Sequence, residues 1–146
     1  MRIAALIIGT ACAASIAFGR HTFGFAGATA PLYFAIAAVY LALTIMLVLR
    51  LHKNARAQIR ARGRALTIWL LISWGCALAF AVTAPDAQAD QTLATITAPP
   101  GASAFALDMS IAFSNPAAII SFSAIIGANI VAYLKGRQAQ KPGSNL

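Results

Sequence analysis

Four long stretches without a charged residue constrain this chain more than any other feature of its sequence. They cover residues 3–19, 32–49, 65–84 and 109–134. A helix needs about 20 predominantly apolar residues to cross a hydrocarbon core roughly 30 Å thick. Soluble domains carry about 25% charged residues, whereas this chain carries 10% and has a mean hydropathy of +0.78. We therefore predict an all-α integral membrane protein, with residues 1–146 forming a single bundle of four transmembrane helices.

The connecting segments differ sharply in charge. Residues 85–108 contain three aspartates and no base, whereas the loop 50–64 and the tail 135–146 are basic. Basic residues accumulate on the cytoplasmic side of a membrane. We therefore predict that both termini and the loop 50–64 are cytoplasmic and that the loop 85–108 lies outside. This arrangement accounts for the formal charge of +8 without a nucleic-acid partner.

The first stretch has two interpretations. Arg2, the apolar run and the small residues Ala11, Cys12 and Ala13 together have some features of a cleavable signal peptide. However, the basic segment before the run is minimal, and the run continues past the candidate cleavage site to Phe18. We favour a retained first transmembrane helix. Cleavage would leave three crossings that still satisfy the charge distribution.

Small residues recur at helical spacing in the first and fourth stretches. Lipid provides no hydrophobic force between helices, so association depends on the close backbone approach that small residues permit. The first set is Ala5, Gly9, Ala13 and Ala17, and the second set is Ser110, Ser114, Ala117, Ser121, Ala124 and Ala128. We predict that both sets are helix-packing surfaces. For the second set the alternative is the lining of a polar path, which we favour less because serine hydroxyls bond their own helix at little cost.

Asn115 and Pro116 form the most unusual pair within a predicted span. Proline lacks a backbone N–H, which removes one helical hydrogen bond and permits a kink. We predict a structural kink at this pair. A hinge, or an amide site for a small polar ligand, is the alternative.

A basic face follows the second stretch, and we expect the helix to continue along it as far as Gly63. On a helical wheel this face collects Arg50, Lys53, Arg56, Arg60 and Arg64. One interpretation is a contact for anionic lipids or for a partner subunit. The other is a charged flank that only fixes orientation, and we favour this second interpretation.

The predicted spans contain no Lys, Arg, His, Asp or Glu, which argues against a proton-coupled transporter, an intramembrane metalloenzyme and a haem protein. His21 and His52 are predicted on opposite sides, so they do not share a metal or a haem. Cys12 and Cys76 are predicted to be inert buried thiols. We predict no catalytic residue, cofactor or metal, and we expect Asp108 to be the N-cap of the fourth helix.

The leading functional hypothesis is a non-catalytic accessory or structural subunit of a larger bacterial inner-membrane complex, with membrane lipids and other membrane subunits as its partners. The bacterial source is inferred from the abundant alanine and the use of arginine over lysine. The alternative is a small homo-oligomeric channel or transporter for a neutral solute. An enzyme comes third, because its candidate groups are too scattered to name a reaction. Those groups are Arg20, His21, Asp86, Asp90 and Asp108.

Overall fold

The computed structural model describes residues 2–24, 27–57, 63–87 and 92–139. Within these ranges the chain forms four helices: α1 (Arg2–Thr22), α2 (Ala30–Arg56), α3 (Arg64–Thr83) and α4 (Ala104–Ala139). Each helix is long and apolar enough to cross a membrane. The prediction of four apolar helices with the character of a multi-pass membrane protein is confirmed.

The helices extend beyond the uncharged stretches that predicted them. Arg20 lies in the last turn of α1, and the three bases from Arg50 to Arg56 lie on the final turns of α2. At 1.5 Å per residue the 36 residues of α4 measure about 54 Å, well beyond the thickness of a hydrocarbon core. Hydropathy marks only the part of a helix that suits lipid, whereas backbone hydrogen bonding continues into polar turns. Arg60 of the predicted basic face lies outside the described residues.

The four helices pack as a ring in the order α1, α2, α4 and α3. α3 packs most extensively on α4, and α1 packs most extensively on α2. The ring is closed by contacts between α1 and α3 and between α2 and α4. Consecutive helices run in opposite directions, which gives the bundle two ends. We call the end with Arg20, Asp86 and Asp108 the acidic end, and the end with Arg2 and Arg50 the basic end.

Small side chains fill most of the bundle interior, with a few large ones between them. The largest fully buried side chains include Tyr40, Leu47, Leu66 and Ile125. Gly9 shows how closely two helices approach, because a Cβ atom there would overlap the side chain of Thr44 on α2. The exterior carries the bulky apolar residues instead, among them those at positions 3, 7, 32, 68 and 119. An apolar exterior around a close-packed, partly polar interior is typical of helices that associate in lipid.

A short hairpin covers part of the acidic end. Strands β1 (Asp86–Ala87) and β2 (Leu93–Ala94) pair antiparallel, with Asp86 opposite Ala94. After this hairpin α4 begins at Ala104, so Asp108 is exposed in the second turn and is not the N-cap. The cap is Ser103, whose Oγ accepts the N–H of Ala106 at 3.2 Å. Asp108 and Ser103 are both suitable cap residues, and the helix starts at the earlier one.

Candidate functional site

A buried ion pair between Arg20 and Asp86 lies at the acidic end of the bundle. Arg20 on α1 is 4% exposed and Asp86 on β1 is 1% exposed. Their Nη1 and Oδ2 atoms are 3.9 Å apart. The guanidinium Nη2 also donates to the backbone oxygen of Ala84 at 2.9 Å. The pair therefore joins the end of α1 to the segment that follows α3.

Tyr33 on α2 completes the surroundings of the Arg20 guanidinium. The guanidinium carbon lies 3.3 Å from the centre of the Tyr33 ring, within the range of a cation–π contact. The Tyr33 hydroxyl donates to the backbone oxygen of Pro85. Two helices and the segment after α3 thus meet at one arginine, which is held by a carboxylate, a carbonyl and an aromatic face.

The Asp86 carboxylate collects hydrogen bonds from the segment before α2. It accepts the N–H of Gly27 at 2.9 Å, the N–H of Thr29 at 3.0 Å and the Thr29 hydroxyl. Burial alone would raise the pKa of Asp86, but these hydrogen bonds and the nearby Arg20 charge outweigh burial and lower the pKa below its ordinary value. Gly27 is required by the close approach, because a Cβ atom there would overlap the backbone of Ala87.

The loop after β2 binds α4 through the hydroxyl groups of Thr95 and Thr97. Ser110 Oγ lies 2.8 Å from Thr95 Oγ1 and 2.6 Å from Thr97 Oγ1, and it bonds the backbone oxygen of Thr83 at 3.2 Å. The backbone N–H of Thr97 also donates to the oxygen of Val82. These contacts fix the loop across the turns of α3 and α4 at the acidic end.

A second polar cluster joins three helices in the middle of the bundle. Ser73 on α3 donates to the backbone oxygen of Ser121 on α4, and Ser121 donates in return to the backbone oxygen of Ser73, each at 3.0 Å. The Tyr40 hydroxyl on α2 lies 2.8 Å from Ser73 Oγ. All three side chains are fully buried.

Amide side chains join α2 to α4 toward the basic end. Asn129 donates to the backbone oxygen of Leu43 at 3.1 Å, and Asn54 donates to that of Ala132 at 2.9 Å. Arg50 is half-buried and donates to the backbone oxygen of Asn129 at 2.9 Å. Arg50, a member of the predicted basic face, therefore serves in part as an internal helix contact.

Burial separates the remaining residues of the predicted basic face from the two small-residue sets. Lys53, Arg56 and Arg64 are exposed at the basic end. All ten residues of the two sets are buried: Ala5, Gly9, Ala13, Ala17, Ser110, Ser114, Ala117, Ser121, Ala124 and Ala128. Asn115 and Pro116 are exposed, and α4 continues as a helix through both.

The histidines and cysteines do not converge on one site. His21 is exposed beside the rings of Phe18 and Phe34, whereas His52 lies at the basic end with its Nδ1 3.0 Å from Arg2 Nη1. Cys12 is buried and Cys76 is half-buried, and both are free thiols. Among the residues that the structure describes, no group of three His, Cys, Asp or Glu side chains is placed to hold a metal ion.

Comparison with protein-family models, with curated proteins and with solved structures finds no match to the chain. The geometry of the bundle is therefore what indicates a function. In that geometry Arg20 and Asp86 are occupied by contacts within the protein, as are Ser73 and Ser121. Tyr33, Thr29 and Ser73 are not recognisable from the sequence as members of polar clusters, because each partner comes from a distant segment. The nearest sequence clue was Arg20, the one base predicted on the same side as the three aspartates.

Proposed function

We propose that this chain is a non-catalytic structural subunit of a larger bacterial inner-membrane complex, with its basic end in the cytoplasm. The observation that carries this proposal is how the interior polar groups are used. They connect one helix to another, most directly in the reciprocal bonds between Ser73 and Ser121. Side chains bonded in this way stabilise a bundle and are not free to handle a substrate.

The shape of the described chain supports the same proposal. Outside the four helices, the described residues form only short turns, the β1–β2 hairpin and the loop that follows it. The helices present bulky apolar side chains outward, among them Ile7, Leu71 and Ile119. A protein of this shape has its surface within the membrane, so contacts with other membrane proteins are the interactions it is best suited to make.

The competing function is a homo-oligomeric channel for a neutral solute. Its predicted lining is the serine set of α4, which would have to face a lumen between copies. Ser110, Ser114 and Ser121 are instead buried within one chain. Ser121 is bonded to α3, and Ser110 is bonded to the loop and to the end of α3. Their burial favours the structural role over the channel.

Reciprocal co-purification from the native host tests the proposal. The chain is tagged, extracted in mild detergent and purified, and each protein recovered with it is then tagged in turn. We expect at least one membrane protein to recover the chain at the same fixed ratio in both directions. A chain that is recovered without any other membrane protein, and that conducts a neutral solute in proteoliposomes, would contradict the proposal and support the channel.

A further inference from the structure

The face of α4 that points away from the bundle carries a regular exposed stripe. Its members are spaced three or four residues apart and are all exposed: Ala112, Asn115, Ile119, Ser123, Ile126 and Ile130. Such spacing keeps side chains in line along one side of a helix. The stripe lies opposite the buried serine set, so no other helix in the described part of the chain covers it.

Asn115 is the unusual member of this stripe because of its depth. Ser110 bonds Thr83, the last residue of α3, and Ser121 bonds Ser73 in the middle of α3. Asn115 lies between these two levels, five residues from Ser110, which is about 7.5 Å along the helix. If α3 crosses the hydrocarbon core, the Asn115 amide is therefore inside it. The side chain has no hydrogen-bond partner among the described residues.

Pro116 removes one hydrogen bond of α4 next to Asn115. Proline has no backbone N–H, so the carbonyl of Ala112, one turn earlier, lacks its usual helical donor. Ala112 and Asn115 are both exposed. An unpaired amide at hydrocarbon depth is costly when lipid is its neighbour, because lipid tails offer no hydrogen bond.

We propose that the exposed stripe of α4 binds the same stripe of a second copy of this chain, forming a parallel homodimer. Two copies inserted in one membrane have the same orientation, so a two-fold axis along the membrane normal sets Asn115 opposite Asn115 at equal depth. An amide has both a donor and an acceptor, so the two side chains bond each other reciprocally. Ala112 and Ser123 are small enough to let the two helices approach closely.

A second copy suits this face better than an unrelated helix because the stripe is complementary to itself. A different protein would need its own hydrogen-bonding group at the depth of Asn115, whereas the symmetric pair supplies one in every case. The dimer is independent of the proposed subunit role, since a complex can contain two copies of a subunit and a dimer can exist outside any complex.

Disulfide cross-linking in native membranes tests the interface. In a background with Cys12→Ala and Cys76→Ala, the test variant is Ile119→Cys and the matched control is Leu71→Cys on α3. These positions are 67% and 59% exposed, and each lies two residues from the bonded pair Ser73 and Ser121. After mild oxidation we expect at least five-fold more product of twice the chain mass from the test variant. Equal yields, no product, or a product with a different protein would overturn the proposal.

The amide is tested in the same cross-linking background. Asn115→Leu should lower the Ile119→Cys dimer yield at least five-fold, and Asn115→Gln should restore part of it because it keeps the amide. An unchanged melting temperature of the monomeric bundle in detergent shows that the loss is not one of folding. A dimer yield that Asn115→Leu leaves unchanged would contradict the proposed amide pair. Cross-linking reports only self-association, so its failure is distinct from a failure to co-purify other subunits.

Discussion

Ser73 and Ser121 each donate a hydrogen bond to the backbone carbonyl of the other, at 3.0 Å in both directions. The two serines are 48 residues apart in sequence and join α3 to α4, the two helices that pack most extensively on each other. Because lipid does not drive apolar helices together, hydrogen bonds and close packing provide the association. This reciprocal pair is the clearest example in the bundle of polar groups used to hold helices in place.

Ser121→Ala should destabilise the bundle by about 1 kcal/mol, since hydrogen bonds between membrane helices contribute on this scale. Ser121→Leu should cost more, because the site is fully buried and has no room for a larger side chain. The matched control is Ser15→Ala, whose hydroxyl bonds Ala11 on its own helix. Reversible unfolding in detergent micelles measures all three. Equal loss of stability for Ser121→Ala and Ser15→Ala would show that the cross-helix bond has no special role.

Gly9→Ala should destabilise the contact between α1 and α2 by about 1–3 kcal/mol, the usual cost of overpacking. The added Cβ would overlap the Thr44 side chain. Thr44→Ala in the same chain should recover much of the loss, because it removes the overlapping atoms. Gly75→Ala is the control, since no atom lies within 4 Å of a Cβ atom added there. The same unfolding assay applies, and a stable Gly9→Ala variant would mean that α1 and α2 are less close than described.

The Asp86 carboxylate makes the stability of the acidic end dependent on pH. Its pKa is lowered from 3.8 in the folded protein, so its contribution to stability is present above that value and is lost as pH falls through the folded pKa. We therefore expect stability to fall as the pH is lowered below about 4. Asp86→Asn should remove this dependence and should also lower stability at pH 7, because it leaves Arg20 without its partner. Removal of one member of a buried ion pair typically costs about 3–5 kcal/mol.

Asp108→Asn is the control for the pH experiment because Asp108 is exposed on α4. This variant should keep both the stability at pH 7 and the loss of stability in acid. Melting temperatures across the pH series provide the comparison. An acid transition that persists in Asp86→Asn would assign the dependence to other groups.

Orientation is predicted by the charges and is measured by thiol labelling. In the background without Cys12 and Cys76, Phe105→Cys lies at the acidic end and Ala57→Cys lies at the basic end, both at exposed positions. A membrane-impermeant maleimide should label Phe105→Cys in intact spheroplasts, and it should label Ala57→Cys only after the membrane is opened. The reverse pattern would place the basic end outside and would contradict the charge argument.

The sequence predicts the helices well because lipid imposes a simple requirement on them. Length and apolar content identify four spans, and helical periodicity places Ser110, Ser114 and Ser121 on one face. The sequence predicts the helix ends less well, because hydropathy changes at the lipid boundary while the helix continues. Asp108 was assigned to the cap for that reason, although α4 begins at Ala104.

The polar clusters depend on which helices become neighbours, and local patterns do not contain that information. Arg20 and Asp86 are separated by α2 and α3, and each looks like an exposed loop charge in isolation. Their burial follows only when the segment after α3 folds across the end of α1. Asn115 is a different case, because the sequence marks it as unusual, and the structure adds that no other described helix covers it.

Native mass spectrometry of the tagged chain, extracted in mild detergent from its own host, tests the subunit role most directly. We predict an assembly in which this chain is bound at fixed stoichiometry to other membrane proteins, and we predict two copies of the chain within it. Dissociation in the gas phase should release those proteins with masses that can be assigned. A chain that appears only as a monomer, or only as an oligomer of itself, would contradict its role as a subunit of a larger complex.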